Sequence, residues 1–113
     1  MNTLIYWDFE TSDVDPQTCH PLQIAACVID AEEDDLPIMD NGFFVSYMRP
    51  PISDEDIMNP DIIKDGVLRK NHITREQILA APNEKIVWSN FVKFCTSFKR
   101  GGELPVACGW NIL

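Results

Sequence analysis

Two carboxylates, Asp8 and Glu10, stand two positions apart in residues 4–10 (LIYWDFE), where apolar and polar side chains alternate. In an extended strand, side chains two positions apart point to the same side, about 6–7 Å from one another. Ile5, Trp7 and Phe9 then share one face, while Tyr6, Asp8 and Glu10 share the other. A pair of carboxylates held this way is a ligand set for a divalent cation that prefers oxygen, and such a cation can activate water for hydrolysis. The plainer reading is a pair of solvated acids at a strand end. The flanking elements favour the first: an apolar strand carries the pair, and a second apolar strand begins about a dozen residues later.

The other reactive side chains form no comparable set. Cys19, Cys27, Cys95 and Cys108 contain no C-x-x-C pair, and the adjacent Cys19-His20 cannot make a zinc site alone. Reduced, mostly buried thiols are expected, with Cys27 and Cys108 as core residues. The formal net charge of −9 argues against a uniformly phosphate-binding surface. Six of the eighteen acids (Asp30, Glu32, Glu33, Asp34, Asp35 and Asp40) fall in one stretch without a cation, which reads as a solvated connection. That stretch lacks the Gly-centred spacing of a calcium loop.

The elements that must position Asp8 and Glu10 follow from periodicity. Residues 4–10, 22–30 and 43–48 read as three strands of an antiparallel meander, with Asn41-Gly42 as a turn before the third and Arg49-Pro50-Pro51 as its end. Ser53 with Asp56 starts a short helix, and Pro60 opens a second turn. Thr74 and Gln77 have capping-box spacing for a helix that Ala81-Pro82 ends. Asn83 caps the next, whose stripe of Val87, Phe91, Phe94, Cys95 and Phe98 runs to Lys99-Arg100-Gly101-Gly102, a basic last turn followed by Gly. With Trp88, those aromatic rings could stack bases, but their helical spacing points to core packing. A last apolar segment, residues 103–109, is reached through a helix and so reads as parallel to an earlier strand. The expected fold class is α/β: a mixed sheet of three antiparallel strands, helices, then a parallel strand. At 113 residues it is a single domain.

On these residues the chain resembles the DEDD (DnaQ-like, ribonuclease T-like) 3′→5′ exonucleases, which have a ribonuclease H-like fold. Residues 8–13 (DFETSD) look like the first exonuclease motif and residues 22–30 (LQIAACVID) like the strand after it. Arg49-Pro50-Pro51 is similar to the end of the third strand, Asn71-His72-Ile73-Thr74 to an H-G-I-T segment, and residues 106–111 (VACGWN) to the start of the second motif. The resemblance spans the chain from residue 4 to its last residue, as the N-terminal part of such a domain.

The resemblance implies two Mg²⁺ or Mn²⁺ ions in the complete enzyme, with Asp8 and Glu10 as ligands. It also implies 3′ ends of single-stranded DNA or RNA as substrate, contacted by Phe9, Thr11, His72 and Asn111. For His72 the plainer alternative is a loop or helix-start residue. In the family, the remaining acids and the general base come after the equivalent of Leu113, so the 113-residue chain is expected to be inactive by itself. A fourth strand without further cover implies a dimer or a completing segment as partner. The alternative to a nuclease is a non-catalytic module that binds a protein or a nucleic-acid end. A related endonuclease or a proofreading domain would share the first strand. No apolar run approaches bilayer length and no basic leader is present, so the expected setting is the cytoplasm, without membrane contact.

Overall fold

The alternation at the start of the chain becomes strand β1, Thr3–Thr11, followed by β2, Pro21–Asp30, and β3, Ile38–Tyr47. Four helices come next: α1, Asp54–Met58; α2, Asp65–Asn71; α3, Arg75–Ala80; and α4, Glu84–Thr96. Strand β4, Val106–Gly109, closes the order. The computed structural model describes residues 3–13 and 17–109. The sheet runs β3-β2-β1-β4, and β4 lies parallel to β1 with Leu4 opposite Val106 and Trp7 opposite Gly109. This is the expected mixed sheet of three antiparallel strands and one parallel strand.

The chain forms two compact units, and the division falls within β1, β2 and β3 themselves. The first comprises residues 1–8, 25–45 and 88–113. Here β1 alternates as its sequence requires: Ile5 is buried, whereas Tyr6 and Asp8 are exposed. The buried side is aromatic. Trp7 stacks on Phe91 with ring centroids 5.2 Å apart, Phe44 sits 5.5 Å from Phe91 and 5.4 Å from Phe94, and Phe98 meets Phe94 at 5.1 Å. Offset and edge-on pairs at these separations contribute about 0.5–1.5 kcal/mol each beyond their burial. The stripe on α4 is therefore core packing, as its spacing indicates.

In the second unit, residues 9–24 and 46–87, the core is aliphatic. Leu22, Ile57, Ile63, Leu68, Ile73 and Ile78 form one buried cluster, so β2 and the three short helices each contribute at least one side chain. Their boundaries are set by caps. The Ser53 hydroxyl accepts from the Asp56 N–H, and Thr74 and Gln77 make the reciprocal capping box. Each such cap is worth about 1 kcal/mol.

Three expectations need correction. Asn41-Gly42 lies inside β3 and is no chain reversal before it: Asn41 is left-handed (φ 57°), and a Cβ on Gly42 would stand 2.6 Å from the Met39 carbonyl oxygen. Pro60 does open a turn, as its position indicates: the Ile62 and Ile63 N–H groups both donate to the Asn59 carbonyl at 3.0 Å, ahead of α2 at Asp65. Helix α4 ends at Thr96, and Lys99-Arg100 follows it. Gly101 (φ 58°) and Gly102 (φ 81°) instead form a tight turn between Arg100 and Glu103, whose backbones exchange two hydrogen bonds of 2.9 Å. Positive φ at both central positions is the signature of a primed hairpin turn. All four cysteines are free and half-buried, so Cys27 and Cys108 are not core residues.

Candidate active site

Strand β1 has a neighbour on each side, β2 and β4, and Asp8 and Glu10 occupy successive same-face positions along it. Asp8, in the first unit, is exposed and borders an apolar depression of about 390 Å³. Tyr6, Ala25, Cys27, Phe43 and Val45 line that depression, and Phe43 and Val45 remain 65% and 62% exposed. Sequence reading did not single out these residues beside the carboxylate. The signal was present in Tyr6/Asp8 and Phe43/Val45, each pair two apart on its strand.

In the second unit, Phe9, Glu10 and Thr11 are half-buried. The Thr11 hydroxyl donates to the Asp13 carbonyl at 2.8 Å. Ser12, 1% exposed, closes the loop after β1: its hydroxyl accepts from the His20 N–H at 2.8 Å, and its own N–H donates to the His20 carbonyl at 2.9 Å. His20 thus has a structural role through its backbone, and its neighbour Cys19 sits in the same loop. Ser12 is a structural residue of this loop that sequence reading missed, because a buried serine in a polar loop looks like any other loop serine.

His72 is exposed and ends α2 in the left-handed conformation (φ 56°, ψ 40°), its N–H directed to the carbonyls of Leu68 and Arg69. Glycine takes that conformation without steric cost. His72 also lines a concave surface with Asp65, Leu68, Arg69, Ile73 and Thr74. Asn111, with Trp110, lies outside the described residues.

Two carboxylates supply the right donor chemistry for Mg²⁺ or Mn²⁺ but too few donors for two ions. Among the described residues, no group of three or more His, Cys, Asp or Glu side chains is placed to hold a metal. A further acid, Asp30, is structural. Asp30 accepts from both guanidinium nitrogens of Arg100, at 3.1 and 3.3 Å, and Glu32 accepts at 3.3 Å. The Arg100 hydrogen bonds, with help from the Glu32 backbone N–H, hold the Asp30 carboxyl below its ordinary value.

No family model matches the sequence, and no curated protein matches it. Solved structures do. The chain superposes on the cell-death related nuclease 4 (CRN-4) with a TM-score of 0.70 and 19% identity, covering 96% of this chain and 34% of that one. For the nuclease domain of 3′hExo, a DEDDh family member bound to rAMP, the TM-score is 0.73 at 17% identity, covering 96% of this chain and 51% of that domain. The fold is that of the DEDD 3′-exonucleases. E. coli Exonuclease I in complex with an oligonucleotide matches at a TM-score of 0.62 and 19% identity, covering 96% of this chain and 20% of that chain. The chain thus spans between a fifth and a half of these proteins, and at such identities the likeness concerns the fold. Among the described residues, no helix is long and apolar enough to cross a membrane.

Proposed function

We propose that this chain is the N-terminal part of a metal-dependent 3′→5′ exonuclease that removes nucleotides from single-stranded ends of DNA or RNA. The observation that supports the reading is the D-x-E pair: Asp8 and Glu10 on an interior strand of a sheet ordered β3-β2-β1-β4, in a fold that superposes on solved 3′-exonucleases. In this reading their carboxylates hold Mg²⁺ or Mn²⁺. The cations would activate water and stabilise the departing 3′-oxygen. Phe9 and Thr11 meet the terminal nucleotide, through ring stacking and backbone contact. His72, with Asn71, borders the nucleotide pocket, and Asn111 contributes from the second motif. The remaining acids and the base are supplied by a further segment, so the 113-residue chain alone turns over no substrate. The protein acts in the cytoplasm.

The test is stepwise trimming of a 5′-labelled single strand by the full-length protein with Mg²⁺. Asp8→Ala is expected to abolish it and to weaken Mn²⁺ binding measured by titration. Trimming that continues unchanged in Asp8→Ala overturns the reading. Internal cuts in place of mononucleotides would assign a related endonuclease.

A second reading rests on the net charge of −9 and on a site of two carboxylates among the described residues: a non-catalytic module on the same fold, binding a protein or a nucleic-acid end. Tight binding of two Mn²⁺ ions by the full-length protein defeats it.

A further inference from the structure

The charge of this chain is unevenly distributed along it. Residues 64–75 carry four of the nine cations (Lys64, Arg69, Lys70 and Arg75) against a single acid, Asp65, a local +3 in a chain of net −9. Most arginines are already engaged. Arg49 pairs with Asp54, Arg75 with Asp65, and Arg100 with Asp30 and Glu32. Arg69 is the one arginine of the four without an ion pair among the described residues, and Lys70 next to it and Lys64 at the start of α2 are exposed and likewise without an ion pair there.

The placement of Arg69 adds a second observation. Its guanidinium lies back along α2 over Gly66, 4.0 Å from where a Cβ would stand. The same side chain lines the concave surface of about 730 Å³ that it shares with Leu68, His72, Ile73 and Thr74. The one acid on that surface, Asp65, is occupied by Arg75. A concavity bordered by an uncompensated arginine, with a lysine on each side of it in sequence, fits a polyanion that presents phosphates in series.

We infer that α2, through Arg69 and Lys70 in its last turn and Lys64 at its N-terminal end, binds the phosphate backbone of a single-stranded nucleic acid. The inference rests on the nuclease reading for its ligand and adds to it a binding surface outside the metal-ligating pair. Phosphate contacts position a strand without reading its sequence. The surface therefore confers affinity and salt dependence but no base preference.

The experiment is fluorescence anisotropy of the full-length protein with a labelled oligothymidine, in EDTA, across a salt series. Each phosphate contact on a single strand contributes about 0.7 to the slope of log affinity against log salt. The double variant Arg69→Ser/Lys70→Ser is expected to lower that slope by about 1.4, with restoration of the Arg69 share by Arg69→Lys. The control Lys93→Ser/Lys99→Ser, which removes two exposed lysines elsewhere, is expected to leave it unchanged. Equal effects from the two double variants, or none from either, overturn the inference and leave the nuclease reading standing on its own trimming assay. Failure of the unsubstituted full-length protein to bind at any salt also overturns the inference.

Discussion

Arg75 is expected to be among the most costly positions in the second unit, although it is a charged residue on a six-residue helix. Its guanidinium donates to the Ile57 carbonyl at 2.7 Å and to the Ile63 carbonyl at 2.9 Å, and pairs with Asp65. Ile57 and Ile63 are fully buried, so the fork ties the end of α1 and the connection before α2 to α3. A hydrogen bond from a charged donor contributes about 1.5–3 kcal/mol, and a buried carbonyl left unpaired costs about 1–3 kcal/mol. The Asp65 partner is 63% exposed, so its share is at most about 1 kcal/mol. Because one side chain makes both bonds, the losses are not independent. Arg75→Ala is expected to cost about 3 kcal/mol, and Asp65→Ala under about 1 kcal/mol. Arg75→Lys keeps the charge but not the fork and should fall between them. Urea unfolding followed by far-ultraviolet circular dichroism measures this. With a slope of about 1.5–3 kcal/mol/M, the Arg75→Ala midpoint should fall by about 1–2 M. If Asp65→Ala is as costly as Arg75→Ala, the ion pair carries the stability and the argument from the carbonyls is wrong.

Two further outcomes follow from the titrating groups. The lowered Asp30 carboxyl stabilises the folded state when ionised, a contribution present above its ordinary value of 3.8 and lost as pH falls through the lower folded value. Asp30→Asn should therefore flatten the acid limb of unfolding below about pH 4, and an unchanged limb refutes this. Burial raises the Cys95 thiol, so at pH 8 it is expected to be alkylated more slowly by iodoacetamide than the other three cysteines, as read by peptide mass mapping. Faster labelling of Cys95 refutes that.

The parts of the fold legible in the sequence are those fixed by neighbours a few residues apart. The alternation of β1, the Thr74/Gln77 box and the Val87/Phe91/Phe94 stripe depend on strand and helix periods, and each appears where the residues place it. What was not legible depends on distant partners. Asn41-Gly42 has turn chemistry, yet Gly42 is needed because the Met39 and Val28 carbonyls crowd its Cβ position, which no local pattern encodes. Gly101-Gly102 reads equally well as a helix stop or a hairpin turn, and the backbone bonds between Arg100 and Glu103 decide it. The Arg75 fork reaches back 18 and 12 residues to its carbonyls. In the candidate site, Asp8 and Glu10 were legible because strand alternation alone aligns them. The left-handed backbone of His72 was not, since a histidine carries no sign of the conformation a glycine would advertise.

The two kinds of work proposed for this chain make different demands on their supports. Hydrolysis requires ligands held to within a fraction of an ångström, which favours side chains on an element whose backbone is fixed on both sides. Strand β1 runs between β2 and β4 in the sheet, with β4 paired to it over Leu4–Trp7, just before Asp8. Attraction of a phosphate chain acts over about 8–10 Å at ordinary salt and tolerates motion of the cation that supplies it. A seven-residue helix that ends on a left-handed histidine, with long exposed Arg69 and Lys70 side chains, meets that weaker demand. The contrast sets the expected phenotypes apart. A substitution at Asp8 should abolish turnover and spare strand binding, whereas substitutions at Arg69 and Lys70 should weaken binding progressively with salt and leave turnover of a saturating strand intact.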